Sequence, residues 1–234
     1  MAHLDLEEQE QLDSIKTWWK MYGNRVTSVV TAAAIAVIGR YGWQWYQQNQ
    51  AGQASVVFSA LESAIADKDS QRIKATAGEL TEKYTSTPYA ALGALAAAKA
   101  SFEAGDMKTA RLQLAWVAEH GKNEVRDIAR LRLAAVLLDD QAYAEALKSL
   151  EEPYPPAFAA RFNELRGEVL LAQGKKEEAR KAFEAALARF DERQSTEKAK
   201  TAKPEENGQS PESSARQPYR ELLQHKIDAL GGKA

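Results

Sequence analysis

The sequence predicts an all-α protein, in which an N-terminal single transmembrane helix is followed by an α-solenoid of antiparallel helix hairpins and a C-terminal capping helix. Two observations predict this class. The fourteen residues 26–39, near the N-terminus, carry no charge. Beyond them, glycines and prolines separate short, alanine-rich segments with amphipathic helical spacing, and long alternating β-branched runs are absent.

Aromatic flanks make the uncharged run a predicted membrane span. Four of the five tryptophans lie on its two sides, as in the aromatic belts at membrane surfaces. Extended over 25–45, the helix is roughly 31 Å long and can cross a bilayer, so membrane lipid is a predicted partner. A cleaved signal peptide and a buried core helix are the alternatives. The long, acidic segment before the run and the aromatic residues after it argue against the signal peptide.

Basic residues beside the span predict its orientation. Lys16, Lys20 and Arg25 precede the uncharged run, whereas Arg40 is the only basic residue between that run and Lys68. Since the basic side of a span stays in the cytoplasm, the N-terminus is predicted to be cytoplasmic. In a bacterial inner-membrane protein, the large C-terminal part then lies in the periplasm.

Three predicted turns after the span repeat one pattern. They read EAGDMKTA, DDQAYAEA and AQGKKEEA, and end at Ala110, Ala146 and Ala179. These alanines are 36 (146 − 110) and 33 (179 − 146) residues apart, close to the roughly 34-residue tetratricopeptide period. A small residue twelve positions before each alanine and a larger apolar one four positions after it complete the pattern: Ala98 and Leu114, Ala134 and Leu150, Gly167 and Phe183. Residues 88–190 therefore resemble three tetratricopeptide units.

The match to that repeat is partial. The tryptophan usual in its first helix is replaced by Ala94, Arg130 and Asn163. Residues 52–84 can form a divergent first hairpin, but its turn does not align with the other three. A plain helical bundle is the alternative.

A polar segment separates the repeats from the last predicted helix. Residues 191–216 contain no aromatic residue and no aliphatic residue larger than alanine, so this segment is predicted to be a disordered insertion. Order is expected to resume at Pro218, as the first helical residue. The apolar stripe that follows predicts a capping helix for the solenoid within 217–234: Tyr219, Leu222, Leu223, Ile227 and Leu230.

Composition gives no support for catalysis or for nucleic-acid binding. The 31 basic and 33 acidic residues leave a net charge of -2, and the chain has no cysteine. Its three histidines are far apart, and no phosphate-binding glycine loop or zinc-type spacing occurs. The sequence therefore predicts a protein without catalytic residues, cofactor or metal site. An unrecognised hydrolase stays an alternative that no sequence feature favours.

Over nearly its whole length the chain resembles the YfgM-like ancillary subunits of the bacterial Sec translocon. The resemblance rests on the acidic N-terminus, the KTWWKMYGN lead-in, a span ending in RYGWQWY, the three repeat-like units and the closing HKIDAL. It implies a non-enzymatic inner-membrane protein that associates with the SecYEG channel and the membrane-anchored periplasmic chaperone PpiD, and that helps pass translocated proteins to periplasmic chaperones. The alternative is a scaffold for a different cell-envelope assembly. The implied division is 1–24 cytoplasmic, 25–45 transmembrane, and 46–190 a periplasmic repeat domain, followed by the insertion and cap.

Two surfaces are predicted to bind partners. Stacked repeats form a groove lined by the first helix of each unit, and the repeat pattern predicts these groove residues: Leu92, Leu95, Lys99, Phe102, Ile128, Leu131, Leu138 and Leu171. The same pattern assigns Ala135 to the groove, and in the third unit Arg161, Glu164 and Glu168 are expected to add a charged end. Within the span, Ser28, Ala32 and Ala36 recur every four residues, and this packing face would let another helix approach closely.

Overall fold

The computed structural model describes residues 6–151, 153–200 and 211–231, in which every regular element is helical. The predicted all-α class is confirmed. The helices are α1 Leu6–Ala66, α2 Ser70–Lys83, α3 Pro88–Glu103, α4 Met107–His120, α5 Asn123–Asp139, α6 Tyr143–Glu151, α7 Ala159–Ala172, α8 Lys176–Lys200 and α9 Pro211–Asp228, with a 3₁₀ helix at Pro156–Phe158. The chain divides into two compact units at Gln53.

The N-terminal unit contains the predicted span. Among the described helices, α1 alone is long and apolar enough to cross a membrane, and its apolar window is not buried within the protein. Val30 is 61 % exposed and Ile38 is 70 % exposed. Since a buried core helix would hide such side chains, their exposure favours the membrane span over that alternative.

Helix α1 differs from the prediction in its length. The predicted span at 25–45 and the start of the possible hairpin at 52–84 are parts of one helix that continues without a break from Leu6 to Ala66. Gly52 does not interrupt it, because one glycine inside a helix costs only about 1 kcal/mol relative to alanine.

The C-terminal unit is built from four helix hairpins. The last part of α1 pairs with α2, where Ala54 and Leu61 pack against Ile73 and Leu80. Three further hairpins follow, α3 with α4, α5 with α6, and α7 with α8, and a buried cluster around Ala98, Leu114, Ala134, Leu150 and Phe162 joins neighbouring hairpins.

One turn geometry recurs in all four hairpins. Each turn has one residue in the left-handed region, with φ of 55° at Lys68, 77° at Gly105, 58° at Gln141 and 78° at Gly174. After each of these, the next residue donates its N–H to a carbonyl five positions back, as Asp106 does to Ser101 at 2.8 Å. These are Schellman helix ends.

The recurring turn aligns the first hairpin, which the sequence pattern left unaligned. The left-handed residues are 37 (105 − 68), 36 (141 − 105) and 33 (174 − 141) residues apart. Ile73 therefore stands where the other hairpins carry Ala110, Ala146 and Ala179. A lysine at the left-handed position and an isoleucine in place of the small residue hide this unit in the sequence.

The predicted disordered insertion at 191–216 is wrong at both ends. Helix α8 continues to Lys200, and α9 begins at Pro211. The extension lacks large apolar residues, but most of its residues are good helix formers such as glutamate, lysine and alanine. The ion pair between Arg189 and Glu192, 2.9 Å long, spans one turn. Residues 201–210 lie outside the described residues.

Helix α9 closes the solenoid. Leu223 and Ile227 are buried against Leu170 and Phe183 of the fourth hairpin. Pro218 lies inside this helix and not at its start, because Pro211 takes the N-terminal position that proline favours. The capping role predicted for the C-terminal helix fits this packing.

Candidate partner-binding groove

A groove runs along the first helices of the last three hairpins, α3, α5 and α7. Two cavities of similar size open along it, about 210 Å³ between α3 and α5 and about 220 Å³ between α5 and α7. Both are lined by Arg132 and Ala135 of the middle helix α5, so they lie side by side.

The cavity between α3 and α5 is mainly apolar. It is lined by Leu95, Ala98, Phe102, Leu114 and Val136, with Lys99, Arg132 and Asp139 as its charged residues. The Phe102 side chain is 41 % exposed, so an aromatic surface is available to a partner.

The cavity between α5 and α7 is more polar. Leu131 and Leu165 provide its apolar surface, and Arg132, Arg161, Glu164 and Glu168 surround them. The groove therefore changes from apolar to charged along the chain.

Four of the eight predicted groove residues line these cavities: Leu95, Lys99, Phe102 and Leu131. The structure does not bring the other four to the cavities. Leu92 and Leu171 are exposed elsewhere, Ile128 is half-buried, and Leu138 packs against the core cluster.

The sequence pattern missed Arg132, Val136 and Asp139. The repeat alignment assigned positions 128, 131, 135 and 138 of α5 to the groove. In the structure the lining positions are 131, 132, 135, 136 and 139. A broader stripe, typical of a helix that packs against two neighbours, would have included them.

Helix α9 closes the charged end of the groove. Glu164 is only 3 % exposed, and it accepts hydrogen bonds from Tyr219 at 2.8 Å, Lys226 at 2.8 Å and Arg161 at 2.5 Å. Lys226 also donates to Glu168 at 2.5 Å. The acidic residues predicted to face a partner are therefore neutralised from within the chain.

Burial and charge shift the pKa values in this cluster. Burial raises the pKa of Tyr219, and the negative charge of Glu164 raises it further. Burial alone would lower the pKa of Lys226, but its hydrogen bonds to Glu164 and Glu168 more than offset this, so its pKa is raised. The lysine stays charged and holds α9 in place.

Ion pairs also join the second helices of successive hairpins. Lys74 of α2 contacts Asp106, the N-cap of α4, at 2.7 Å. Arg111 of α4 pairs with Glu145 of α6 and lies 3.5 Å from Asp140. These pairs lie outside the groove and fix the stacking of the hairpins that form it.

Asp106 predicts a measurable acid dependence of stability. Hydrogen bonds from Lys74 and then from Thr109 lower the pKa of its carboxyl from 3.8 to about 2. Because the pKa is lower in the folded chain, the stabilisation is complete above pH 3.8 and is lost as the pH falls through about 2. The difference in unfolding free energy between the wild type and Asp106→Asn should shrink over this range in urea titrations. A difference that is constant with pH would contradict the assignment.

The predicted packing face of the span is exposed. Ser28, Ala32 and Ala36 lie on the surface of α1, and the Ser28 hydroxyl donates to the Asn24 carbonyl at 2.8 Å. Because this hydroxyl is satisfied within its own helix, Ser28 can face lipid or a neighbouring helix at little cost.

The groove offers apolar and charged surface for binding. No group of three or more histidine, aspartate or glutamate residues in the described part of the chain could hold a metal ion. Phe102, Arg132 and Leu131 can contact a polypeptide through apolar area and charge, which is the mode of partner binding that solenoids use.

Comparison with known proteins gives consistent matches. The family described as "Tetratricopeptide repeat-like domain" matches residues 16–232. An "Ancillary SecYEG translocon subunit" from Neisseria gonorrhoeae is 32 % identical over 98 % of this chain and 99 % of its own length. Proteins with the same name from Haemophilus influenzae and Escherichia coli are 30 % and 28 % identical, each over 77 % of this chain and over 89 % and 87 % of their own lengths.

Proposed function

The chain belongs to the family of ancillary SecYEG translocon subunits that carry a tetratricopeptide repeat-like domain, and from this premise we propose that it binds the SecYEG channel and passes translocated proteins to periplasmic chaperones. The observation that carries the proposal is the similarity to the Neisseria gonorrhoeae protein, which extends over both the apolar helix and the hairpins. The protein would act by binding and not as an enzyme.

The span of α1 and the groove would have separate roles in this function. The span of α1 would hold the chain in the inner membrane, surrounded by lipid, with the N-terminus in the cytoplasm and the hairpins in the periplasm. The groove between α3, α5 and α7 would receive segments of a partner chain. The membrane-anchored chaperone PpiD is the proposed acceptor of translocated proteins.

Recovery of the channel from native membranes tests the proposal. A tagged full-length chain, crosslinked in intact membranes and purified in mild detergent, should bring down SecYEG subunits and PpiD. Recovery of a different envelope assembly in their place would contradict the proposed function.

The orientation has its own test, since the chain lacks cysteine. In intact cells, an impermeant thiol reagent should label Ser70→Cys but not Ser14→Cys. The reverse result would place the hairpins in the cytoplasm.

We also propose that the packing face of the span, formed by Ser28, Ala32 and Ala36, contacts the channel. Replacing Ala32 and Ala36 with leucine should weaken recovery of the channel while membrane insertion is unchanged, because larger side chains would hold a neighbouring helix away. Unchanged recovery would show that the span acts only as an anchor.

A further inference from the structure

Arg132 lies at the centre of the groove. It is exposed and lines both cavities, so its side chain stands between the apolar cavity and the more polar one, in which Leu131 and Leu165 provide the apolar surface. Among the residues that the structure describes, Arg132 has no ion-pair partner. A cation in this position can attract a carboxylate of a partner.

The neighbouring charges are already paired or lie farther away. On the α7 side, Lys226 forms ion pairs with Glu164 and Glu168. On the α3 side, the Lys99 ammonium lies 3.7 Å from the Glu103 carboxylate. Asp139 lines the cavity between α3 and α5, seven residues beyond Arg132, which is roughly 10 Å along the helix. Among the described residues, Arg132 is thus the lining cation without an acidic partner, since Lys99 and Arg161 each have one.

Helix α9 shows how the first helix of a hairpin receives another segment. Its polar groups, the Tyr219 hydroxyl and the Lys226 ammonium, meet carboxylates of α7. Its apolar residues, Leu223 and Ile227, are buried beside them. Here α7 supplies the negative charge and the docked segment supplies the positive charge.

At α5 the charges are reversed, because the first helix supplies the positive charge of Arg132. We propose that the groove binds a polypeptide segment in which one aspartate or glutamate lies between apolar side chains. The carboxylate pairs with Arg132, whose planar guanidinium can donate two parallel hydrogen bonds to the two carboxylate oxygens. The flanking apolar side chains enter the two cavities. This inference rests on the proposed function and names the chemistry of the segment that the groove receives.

Asp139 argues against a more negative occupant, since Glu164 and Glu168 are already paired with Lys226. A lipid surface or an acidic run would place further negative charge close to the Asp139 carboxylate, and like charges repel. A segment with one carboxylate among apolar residues neutralises Arg132 and adds no further negative charge to the groove.

Crosslinking from the groove tests the inference in the full-length chain. With p-benzoylphenylalanine in place of Phe102, irradiated native membranes should yield adducts whose partner peptide contains a carboxylate among apolar residues. Arg132→Glu should reduce these adducts by about tenfold, because it places two negative charges together. Arg132→Lys should reduce them less, since lysine keeps the charge without the bidentate geometry.

Arg166→Glu is the matched control, because this exposed arginine of α7 lines neither cavity. The yield of adducts with Arg166→Glu should equal the yield from the chain that carries the probe at position 102 alone. The inference is wrong if Arg132→Glu leaves the adducts unchanged, if the adducts are to lipid, or if the captured segment has no carboxylate. Recovery of SecYEG with the wild-type chain is scored separately, so a failure of the proposed function is distinguishable.

Discussion

Replacing Arg130 with methionine should lower the free energy of unfolding by about 3–5 kcal/mol, because it removes the buried one of the two arginines that pair with the Asp127 carboxylate. Arg130 and Asp127 are both buried in α5, at 2 % and 0 % exposure, and their Nη1 and Oδ1 atoms are 3.5 Å apart. The measurement is urea unfolding of the purified chain, followed by circular dichroism.

Arg130 also joins three elements. Its Nε donates to the Ser149 carbonyl at 3.1 Å, and its Nη1 donates to the Pro153 carbonyl at 3.2 Å. Its guanidinium carbon lies 5.0 Å from the centre of the Phe162 ring. Methionine can fill much of the volume but cannot donate to either carbonyl, so the end of α6 and the following loop would lose their attachment to α5.

Arg132→Met is the control for this prediction, since it removes the same side chain from an exposed position of the same helix. Its unfolding free energy should stay within about 0.5 kcal/mol of the wild type. Equal losses from the two variants would show that Arg130 has no special role. Replacing Asp127 with asparagine in the Arg130→Met background should recover part of the loss, because the buried carboxylate, which then has only Arg126 as a cation, is gone.

Replacing Phe183 with alanine should cost about 3–5 kcal/mol of unfolding free energy, because it leaves a cavity in the fourth hairpin. The Phe183 ring is fully buried, and it packs in one cluster with Leu170, Leu223 and Ile227. Loss of the ring would therefore loosen both the α7 and α8 pair and the attachment of α9. The same urea titration measures it.

Two variants show whether the Phe183 effect comes from packing. Phe102→Ala removes the same phenyl ring from the exposed groove and should lower the free energy of unfolding far less than Phe183→Ala does. Gly167→Ala should be destabilising in the wild type, because its new Cβ would lie 2.6 Å from the Phe183 ring. With Phe183→Ala already present, the same change should be tolerated. Additive losses in this double-mutant cycle would contradict the direct contact.

The regular part of the fold was predictable because its signals are local. Turn residues, such as Gly105 and Gly174, and small residues, such as Ala134 and Gly167, act within one hairpin. The first hairpin was not predictable in this way, since Lys68 and Ile73 replace the residues that mark the turn elsewhere.

The helical continuation of α8 depends on contacts that a local pattern does not contain. Arg193 donates to the Ala157 carbonyl at 2.9 Å, across 36 residues. Asp191 pairs with Arg220 of α9 at 3.1 Å. Such long-range contacts hold a polar helix in place where composition alone indicates disorder.

The repeat pattern predicted only part of the cavity lining. Phe102 and Leu131 line the cavities as predicted, whereas Leu92, Ile128 and Leu171 do not. Arg132 was missed, and Glu164 was misjudged, because the pattern does not show how wide the exposed stripe is or where α9 docks. Cavities and ion pairs between helices arise from packing, which no spacing rule includes.

We propose that the groove of the membrane-anchored chain receives partners at the translocon. Site-specific photocrosslinking in intact membranes tests this most directly, with the probe placed at Phe102 in the groove or at Leu112, which is 61 % exposed on the second helix α4. Adducts with SecYEG subunits, PpiD or translocating chains should form from position 102, and few should form from position 112. Equal adducts from both positions, or adducts from position 112 alone, would contradict it.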